Sequence, residues 1–336
     1  MKKIACFVAA LVSVACSNDV CDWSGGNPGD EAQGTLSVTI EHESVKTRAL
    51  TDYIDVLDEE KKIRKIEVFV FDKETGKLNA YKEVGSAGQE CVFSVPAGVK
   101  SVYAVVNAPD LSSVTTHGQF KLITDDLKKT NIQEHGFVML GHEECSVTAG
   151  TVSEPVIVVR RLLARVVVQK IKNSVAPQYG DVSVECVFLG NANSARNFAG
   201  LCGNLVNVYG YADMDKTSPI GKNGATGACP EYFYRSVGAD LSTGASHTAK
   251  YHMYCHPSSS VATTCVYMLA TIGGEQYYYR VPLYNGVQSN KTYSVEMEIV
   301  NLGSTLPPDG DVQKGEIKAV VNVIDWESGE SYTVEF

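Results

Sequence analysis

Apolar and polar residues alternate with a period of two along much of this chain, and that pattern confines it to sheets with one covered face. Tyr293, Val295, Met297 and Ile299 alternate with Thr292, Ser294, Glu296 and Glu298. Val182, Val184, Cys186 and Phe188 are expected to share one face, as are Tyr277, Tyr279, Val281 and Leu283, with Tyr278 under a loop. Further strands are expected at 36–40, 63–71, 91–95 and 101–107, with turn residues at 72–76 and 96–98. Residues 156–168 form one apolar run too long for a single strand. It is read as two strands meeting at Arg160 and Arg161. Residues 119–129, with Phe120, Leu122, Ile123 and Leu127 on one side, predict a helix. Residues 192–246, rich in Gly, Asn, Tyr and Ser, predict long loops.

The first fifty residues carry processing signals. Lys2 and Lys3 precede an apolar run that is too short to span a bilayer and ends at Cys16. This is the layout of a lipoprotein signal, and an ordinary secretory signal with an incidental cysteine is the alternative. A Gly-rich tether over 17–34 follows, then a strand at 35–40, then Arg48 and Ala49. Placed between two strands, Arg48 offers a trypsin-like protease a site that would separate the first strand from the rest.

Ten cysteines are unusual for a reducing compartment and fit an oxidising exterior. Removing Cys6, Cys16 and Cys21 with the leader leaves an odd number, so at least one is expected to be unpaired, and spacing fixes no connectivity. A net charge of −10 argues against a nucleic-acid surface. His252, Cys255 and His256 are metal-ligand types at close spacing, and His142, Glu143 and Glu144 form a second such group. Neither has a partner motif that completes a ligand set, so no metal or cofactor is expected. The sequence lacks G-x-S-x-G, H-E-x-x-H and a phosphate-binding glycine loop, so no enzyme is expected. The acidic stretch 52–60 reads as a solvated segment.

After a Pro307–Pro308 breaker, Ile317, Ala319, Val321 and Val323 alternate with polar or smaller partners, and Tyr332, Val334 and Phe336 alternate at the very end. Such a strand can complete its own sheet or be added to another subunit.

With these features in order, the chain resembles the Bacteroidetes fimbrillin superfamily, the type V pilins, in its Mfa-like and FimA-like branches. The resemblance runs over the whole precursor. It rests on Cys16, the strand before Arg48, the strand end Tyr103 to Pro109, the segment Phe137 to Gly141, the run Arg161 to Val166, and the closing Val323 to Trp326. Leu140, where relatives tend to have serine, and the cysteine richness depart from the pattern. The resemblance implies an all-β fold of two tandem transthyretin-like β-sandwich domains. It divides the chain into a signal peptide at 1–15, a leader with a removable strand at 16–48, an N-terminal sandwich at 49–161 and a C-terminal sandwich at 162–336, with 315–336 as donor strand. It also implies an outer-membrane lipoprotein precursor acylated, for example with palmitate, at Cys16. An Arg-specific protease would cut it between Arg48 and Ala49, and it would polymerise into surface fimbriae that support adhesion. The implied partners are other fimbrial subunits, that protease, the outer membrane through the lipid anchor, and a host or bacterial surface receptor, with no nucleic acid. A fimbrial tip or accessory adhesin, or a glycan-binding surface lipoprotein using Tyr277, Tyr278 and Tyr279, is the other reading.

Overall fold

The computed structural model describes residues 32–42, 57–85, 91–127, 129, 131–206, 230–260, 263–305, 316–326 and 331–335. In chain order the first strands are β1 Gln33–His42, β2 Ile66–Asp72, β3 Leu78–Val84, β4 Cys91–Pro96, β5 Gly98–Val106, β6 Thr124–Asp126, β7 Met139–Val147, β8 Val152–Ser153 and β9 Val156–Arg161. They are followed by β10 Ala164–Asn173, β11 Val182–Gly190, β12 Ala192–Asn197, β13 Cys202–Val206, β14 Tyr234–Leu241, β15 Ser246–His247 and β16 Tyr251–Cys255. The last are β17 Cys265–Ile272, β18 Glu275–Pro282, β19 Lys291–Ile299, β20 Ile317–Asp325 and β21 Ser331–Glu335. The described helices are short: α1 His117–Leu122, α2 Ile132–His135 and α3 Pro230–Phe233. None is long and apolar enough to cross a membrane.

The fold is all-β and sandwich-like. Strands from residues 33–161 form an eight-stranded sheet in the order β3-β2-β5-β7-β9-β1-β4, with β8 beside β1. Later strands form a sheet ordered β15-β10-β19-β20-β21, with β16 beside β10, and a facing four-stranded sheet β14-β11-β17-β18. Inward residues of these two sheets, among them Val184, Met268, Tyr279, Val295 and Met297, make one core. Leu36, Val38, Val68, Val102, Met139 and Ile157 belong to another.

The two halves are not independent. β6, from the first half, pairs antiparallel with β12 of the second. Leu127, Ile132 and Phe137 lie in the second half's core, and Phe198 reaches back to the cluster around Phe69, Phe71 and Phe120. The β9–β10 run breaks at Leu162 and Leu163, directly after Arg161. Asn107 ends β5 with a positive φ of 58°. Its carboxamide donates to the carbonyls of Lys62 at 2.7 Å and Phe137 at 3.1 Å and accepts from the Arg64 amide at 2.8 Å. That network gives the Tyr103-to-Pro109 motif a physical role, which is to tie the strand end to the start of the neighbouring segments.

Four expectations need correction. The helix over 119–129 is only α1. Thr116 caps it, and the chain turns extended at Ile123 to make β6, so the pairing with β12 overrides the helical pattern. The expected loops over 192–246 contain β12, β13, α3, β14 and β15, because small and polar residues there are held by partner strands. Val182 and Val184 do not share a face with Cys186 and Phe188. A register shift between Val184 and Cys186 adds one residue to β11 and inverts the later side chains, yet all four are buried because both faces are covered. The acidic stretch is not wholly solvated: Glu60 is fully buried. Further, among the described residues Cys91, Cys145, Cys186, Cys202, Cys255 and Cys265 form no disulfide. Four of these are buried and pack as small apolar side chains.

Candidate functional site: the β1 groove and the terminal hairpin

β1 lies between two strands of different hydrogen-bonding sense. Its first half pairs antiparallel with β4, from Gln33 opposite Pro96 to Val38 opposite Cys91. Its other edge runs parallel to β8 and then to β9, from Thr39 opposite Val156 to His42 opposite Val159. Among the described strands β4 hydrogen-bonds to β1 alone, so β1 joins β4 to the rest of the sheet. Backbone hydrogen bonds from Thr35 to the Thr151 carbonyl at 2.9 Å and from Thr39 to the Pro155 carbonyl at 3.1 Å add to this seam.

The inward face of β1 is Gly34, Leu36, Val38 and Ile40, all buried. Burying the three aliphatic side chains stabilises the seated strand by about 5–9 kcal/mol, at about 1.5–3 kcal/mol each. Gly34 is required by space alone. A Cβ there would overlap the Thr148 carbonyl oxygen and lie 2.6 Å from Val147 Cγ1. The outward positions Thr35, Ser37 and Thr39 stand opposite Val152, Val92 and Val156, each about half exposed.

The terminal strands are also seated in the chain's own fold. β20 pairs antiparallel with β19 over nine positions, from Lys291–Asp325 to Ile299–Ile317, and β21 covers its other edge. Ile317, Ala319, Val321 and Val323 are buried in the second core. Tyr332 and Val334 stand opposite Val323 and Val321 in β21. The tail is therefore not external to the fold of the single chain, as a purely donated strand would be. Its alternation is satisfied internally, with β20 enclosed and β21 at the edge. Cys16, Arg48, Ala49 and Phe336 lie outside the described residues.

At the junction between the halves, Trp326 follows β20 and packs against Phe137 at 5.8 Å. The guanidinium carbons of Arg161 and Arg165 lie 4.6 and 4.7 Å from the centre of its ring. Arg165 donates to the Glu60 carboxylate, which also accepts from the Tyr254 hydroxyl at 2.9 Å, and Arg161 donates to the Glu60 carbonyl at 2.7 Å. Burial and the neighbouring Glu60 carboxylate push the Tyr254 hydroxyl well above its ordinary pKa. Sequence reasoning saw Arg161, Arg165 and Trp326 as a family pattern and missed Glu60. A single carboxylate that pairs about a hundred residues away leaves no periodic trace.

The histidine and cysteine groups are separate. His256 Nε2 faces Asp125 Oδ2 at 3.3 Å, both buried. Cys255 lies within the core, where burial raises its thiol to about 12. His142 stacks on Tyr103 at 4.3 Å, and Glu144 pairs with Lys73. Among the described residues no group of three or more His, Cys, Asp or Glu could hold a metal. Tyr277 is half-buried beside the core, Tyr279 is core, and Tyr278 is buried and bridges to Ser304.

A sequence model of the family described as "Major fimbrial subunit protein (FimA)" matches residues 34–154, a stretch that takes in β1 from Gly34 onward, β4 and β8 and ends before β9. No curated protein matches the chain. Among solved structures, a fimbrilin (fimA) from Porphyromonas gingivalis is 14% identical with a TM-score of 0.62, covering 89% of this chain and 99% of its own. A candidate cell adhesion protein from Bacteroides eggerthii is 18% identical with a TM-score of 0.61, covering 90% and 98%. Another from Parabacteroides distasonis is 16% identical with a TM-score of 0.59, covering 89% and 99%. At these identities the likeness is one of fold.

Proposed function

We propose that the chain is a fimbrillin-like protein, a structural subunit of surface fimbriae that assembles by exchanging β1 for a strand of a neighbour; the match of residues 34–154 to the major fimbrial subunit family supports this reading. The observation that carries this reading is the position of β1. A segment that precedes Arg48 in sequence fills an apolar groove between β4 and β9. Cutting at Arg48 removes the covalent tether that keeps the strand at high effective concentration, and the groove then has two unpaired strand edges. Those edges and the vacated aliphatic pocket form a site for strand addition, in which main-chain hydrogen bonds give affinity and alternate side chains give specificity.

The precursor is exported as a lipoprotein through Cys16, held at the outer membrane, cut before Ala49 by a trypsin-like Arg-specific protease and carried into the fimbrium. Residues 49–161 and 162–336 are the two sandwiches of the mature subunit, and 315–336 supply the donor. Since β20 is seated at home, donation requires the terminal hairpin to peel from β19. The edge strand β21, paired with β20 alone among the described strands, leaves first. Association with other fimbrial subunits and adhesion to a surface receptor follow from the fibre.

The N-terminal sequence of protein from isolated surface fibres tests this. Ala49 is the expected first residue, and Arg48→Ala is expected to yield folded, lipidated precursor with no fibre. Fibres from that variant with an intact leader would overturn the proteolytic step.

A further inference from the structure

The groove around β1 does more than accept a strand, because it limits the register in which a strand can sit. Inward residues of an occupant fall at the positions of Gly34, Leu36, Val38 and Ile40, and the first is closed to any side chain by Thr148 and Val147. Any replacement running in the same direction must offer glycine there and apolar residues two, four and six positions later. The tail holds glycines at 303, 310, 315 and 329. Starting from Gly303, the later positions would be Thr305, Pro307 and Asp309. Gly310 would bring Val312, Lys314 and Glu316 inward, and Gly329 would bring Ser331, Thr333 and Glu335. Those registers bury charges or polar groups without partners. Gly315 is followed by Ile317, Ala319 and Val321. A slip of one residue would point Glu316, Lys318 and Val320 into the groove, and a slip of two would place Gln313 or Ile317 at the closed position.

Resting on the strand-exchange reading above, we propose that the groove takes the tail of a second copy of this chain in one register, with Gly315 in the place of Gly34 and Ile317, Ala319 and Val321 in the places of Leu36, Val38 and Ile40. Glu316, Lys318 and Val320 then take the places of Thr35, Ser37 and Thr39 on the other face, where Ser37 is buried, so the Lys318 stem lies along the sheet with its ammonium extended to solvent. Val320 lies beside the half-exposed Val156, and the stem of Lys318 lies beside Val92. These are apolar contacts that Thr39 and Ser37 provide less well. Inside the groove the donor is the smaller set, since alanine replaces Val38 and valine replaces Ile40. A tethered leader therefore wins, and exchange waits on proteolysis. Gly34 and Gly315 are thus specificity-determining residues for the same groove, one for the leader and one for the donor.

The register can be read with a native thiol. Cys91 stands directly opposite Val38 and is in no disulfide. Paired residues on antiparallel strands lie about 4.5–5.5 Å apart at Cα, within the range a disulfide spans. In full-length precursor cut with trypsin and allowed to assemble, Ala319→Cys is expected to give a reducible ladder of linked subunits on mild oxidation. Ile317→Cys and Val321→Cys, two residues away on either side, are expected to give none. Gly315→Val is expected to lose most of its polymer, while its uncut monomer melts as the wild type does. Polymer that links through Ile317→Cys or Val321→Cys, that forms without a ladder from Ala319→Cys, or that is indifferent to Gly315→Val would overturn the register while leaving strand exchange standing. Failure of cut wild-type protein to polymerise would overturn both.

Discussion

The leader strand and the terminal hairpin are both buried strands near an end of the chain, yet they are held by different forces. β1 is retained by main-chain hydrogen bonds, by Leu36, Val38 and Ile40, and by a hydrogen bond from the Ser94 hydroxyl to the Gln33 carboxamide oxygen at 2.6 Å, and among the described residues no ion pair ties it to its neighbours. The sheet that holds β20 is laced with cross-strand pairs. Lys291 meets Asp325 at 2.7 Å, Lys172 meets Glu298 at 2.8 Å and Lys170 meets Glu296 at 3.5 Å. Trp326 is then stacked under two arginines. An apolar, charge-free seat suits a strand that is to be replaced by another of the same pattern, because apart from the closed position at Gly34 it asks only for aliphatic side chains at alternate positions. A strand pinned by charges and a stacked indole needs more disruption before it can leave.

The largest effect expected from this contrast comes from one charge placed in each strand. Val38→Asp and Val321→Asp each bury an unpaired carboxylate at a cost of several kcal/mol. In the leader the damage should be confined to the precursor, whose melting temperature falls. Polymer formed after cutting should be normal, because the new carboxylate departs with the leader. In β20 the same change should lower the stability of both precursor and cut protein and abolish assembly. Equal loss of polymer from both variants, measured by sedimentation after trypsin treatment, would break the distinction between a strand discarded with the leader and one the mature subunit keeps and donates.

A second effect sharpens the account of what pins the hairpin. Glu60→Ala leaves Arg165 buried without its carboxylate, a loss of about 3–5 kcal/mol for a buried pair. The loss should appear as faster hydrogen exchange in β20 and β10 and leave the β1 seam protected. Protection lost first in β1 would show instead that the junction supports the groove.

Much of this contrast was legible in the residues. The alternation at 36–40 and 317–323 has the same period and the same kind of inward residue, so pattern alone places both strands. The break between β9 and β10 was legible too, since thirteen apolar-rich residues exceed one strand. What could not be read was set by distant partners. β3 carries Asn79, Lys82 and Glu83 and is held as a strand by β2. The inverted face in β11 comes from one extra residue in β11 opposite β17, while against β14 the extra residue lies in β14. Glu60 looked like one more acidic residue because its partners, Arg165 and Tyr254, are far along the chain. The steric closure at Gly34 comes from a carbonyl more than a hundred residues later. Period and composition report local exposure, and they are silent on which strand arrives next to which.

The smallest effect is the one that isolates charge. Glu298, opposite Lys318 of β20, has its pKa lowered first by the hydrogen bond from Lys172, then by that from Ser174, with Lys318 contributing. A carboxyl whose pKa is lowered in the folded state adds stability that is complete above its ordinary value of 4.5 and is lost as pH falls through the lowered one. The pair is partly exposed, so solvent screening limits its worth to a few tenths of a kcal/mol up to about one. Acidification from pH 6 to pH 3 should therefore loosen chiefly the β10–β19 pairing, and the β19–β20 pairing less, and Glu298→Gln should reduce that pH dependence. The β1 seam, with no ion pair among the described residues, should keep its hydrogen-exchange protection relative to neutral pH over the same range. High salt should mimic acid for β19 and its neighbours and leave β1 unchanged, since screening weakens exposed pairs and leaves aliphatic burial intact. If acid instead released β1 before β20, the leader would be held by a charge that its aliphatic seat gives no reason to expect, and the two strands would no longer differ in kind.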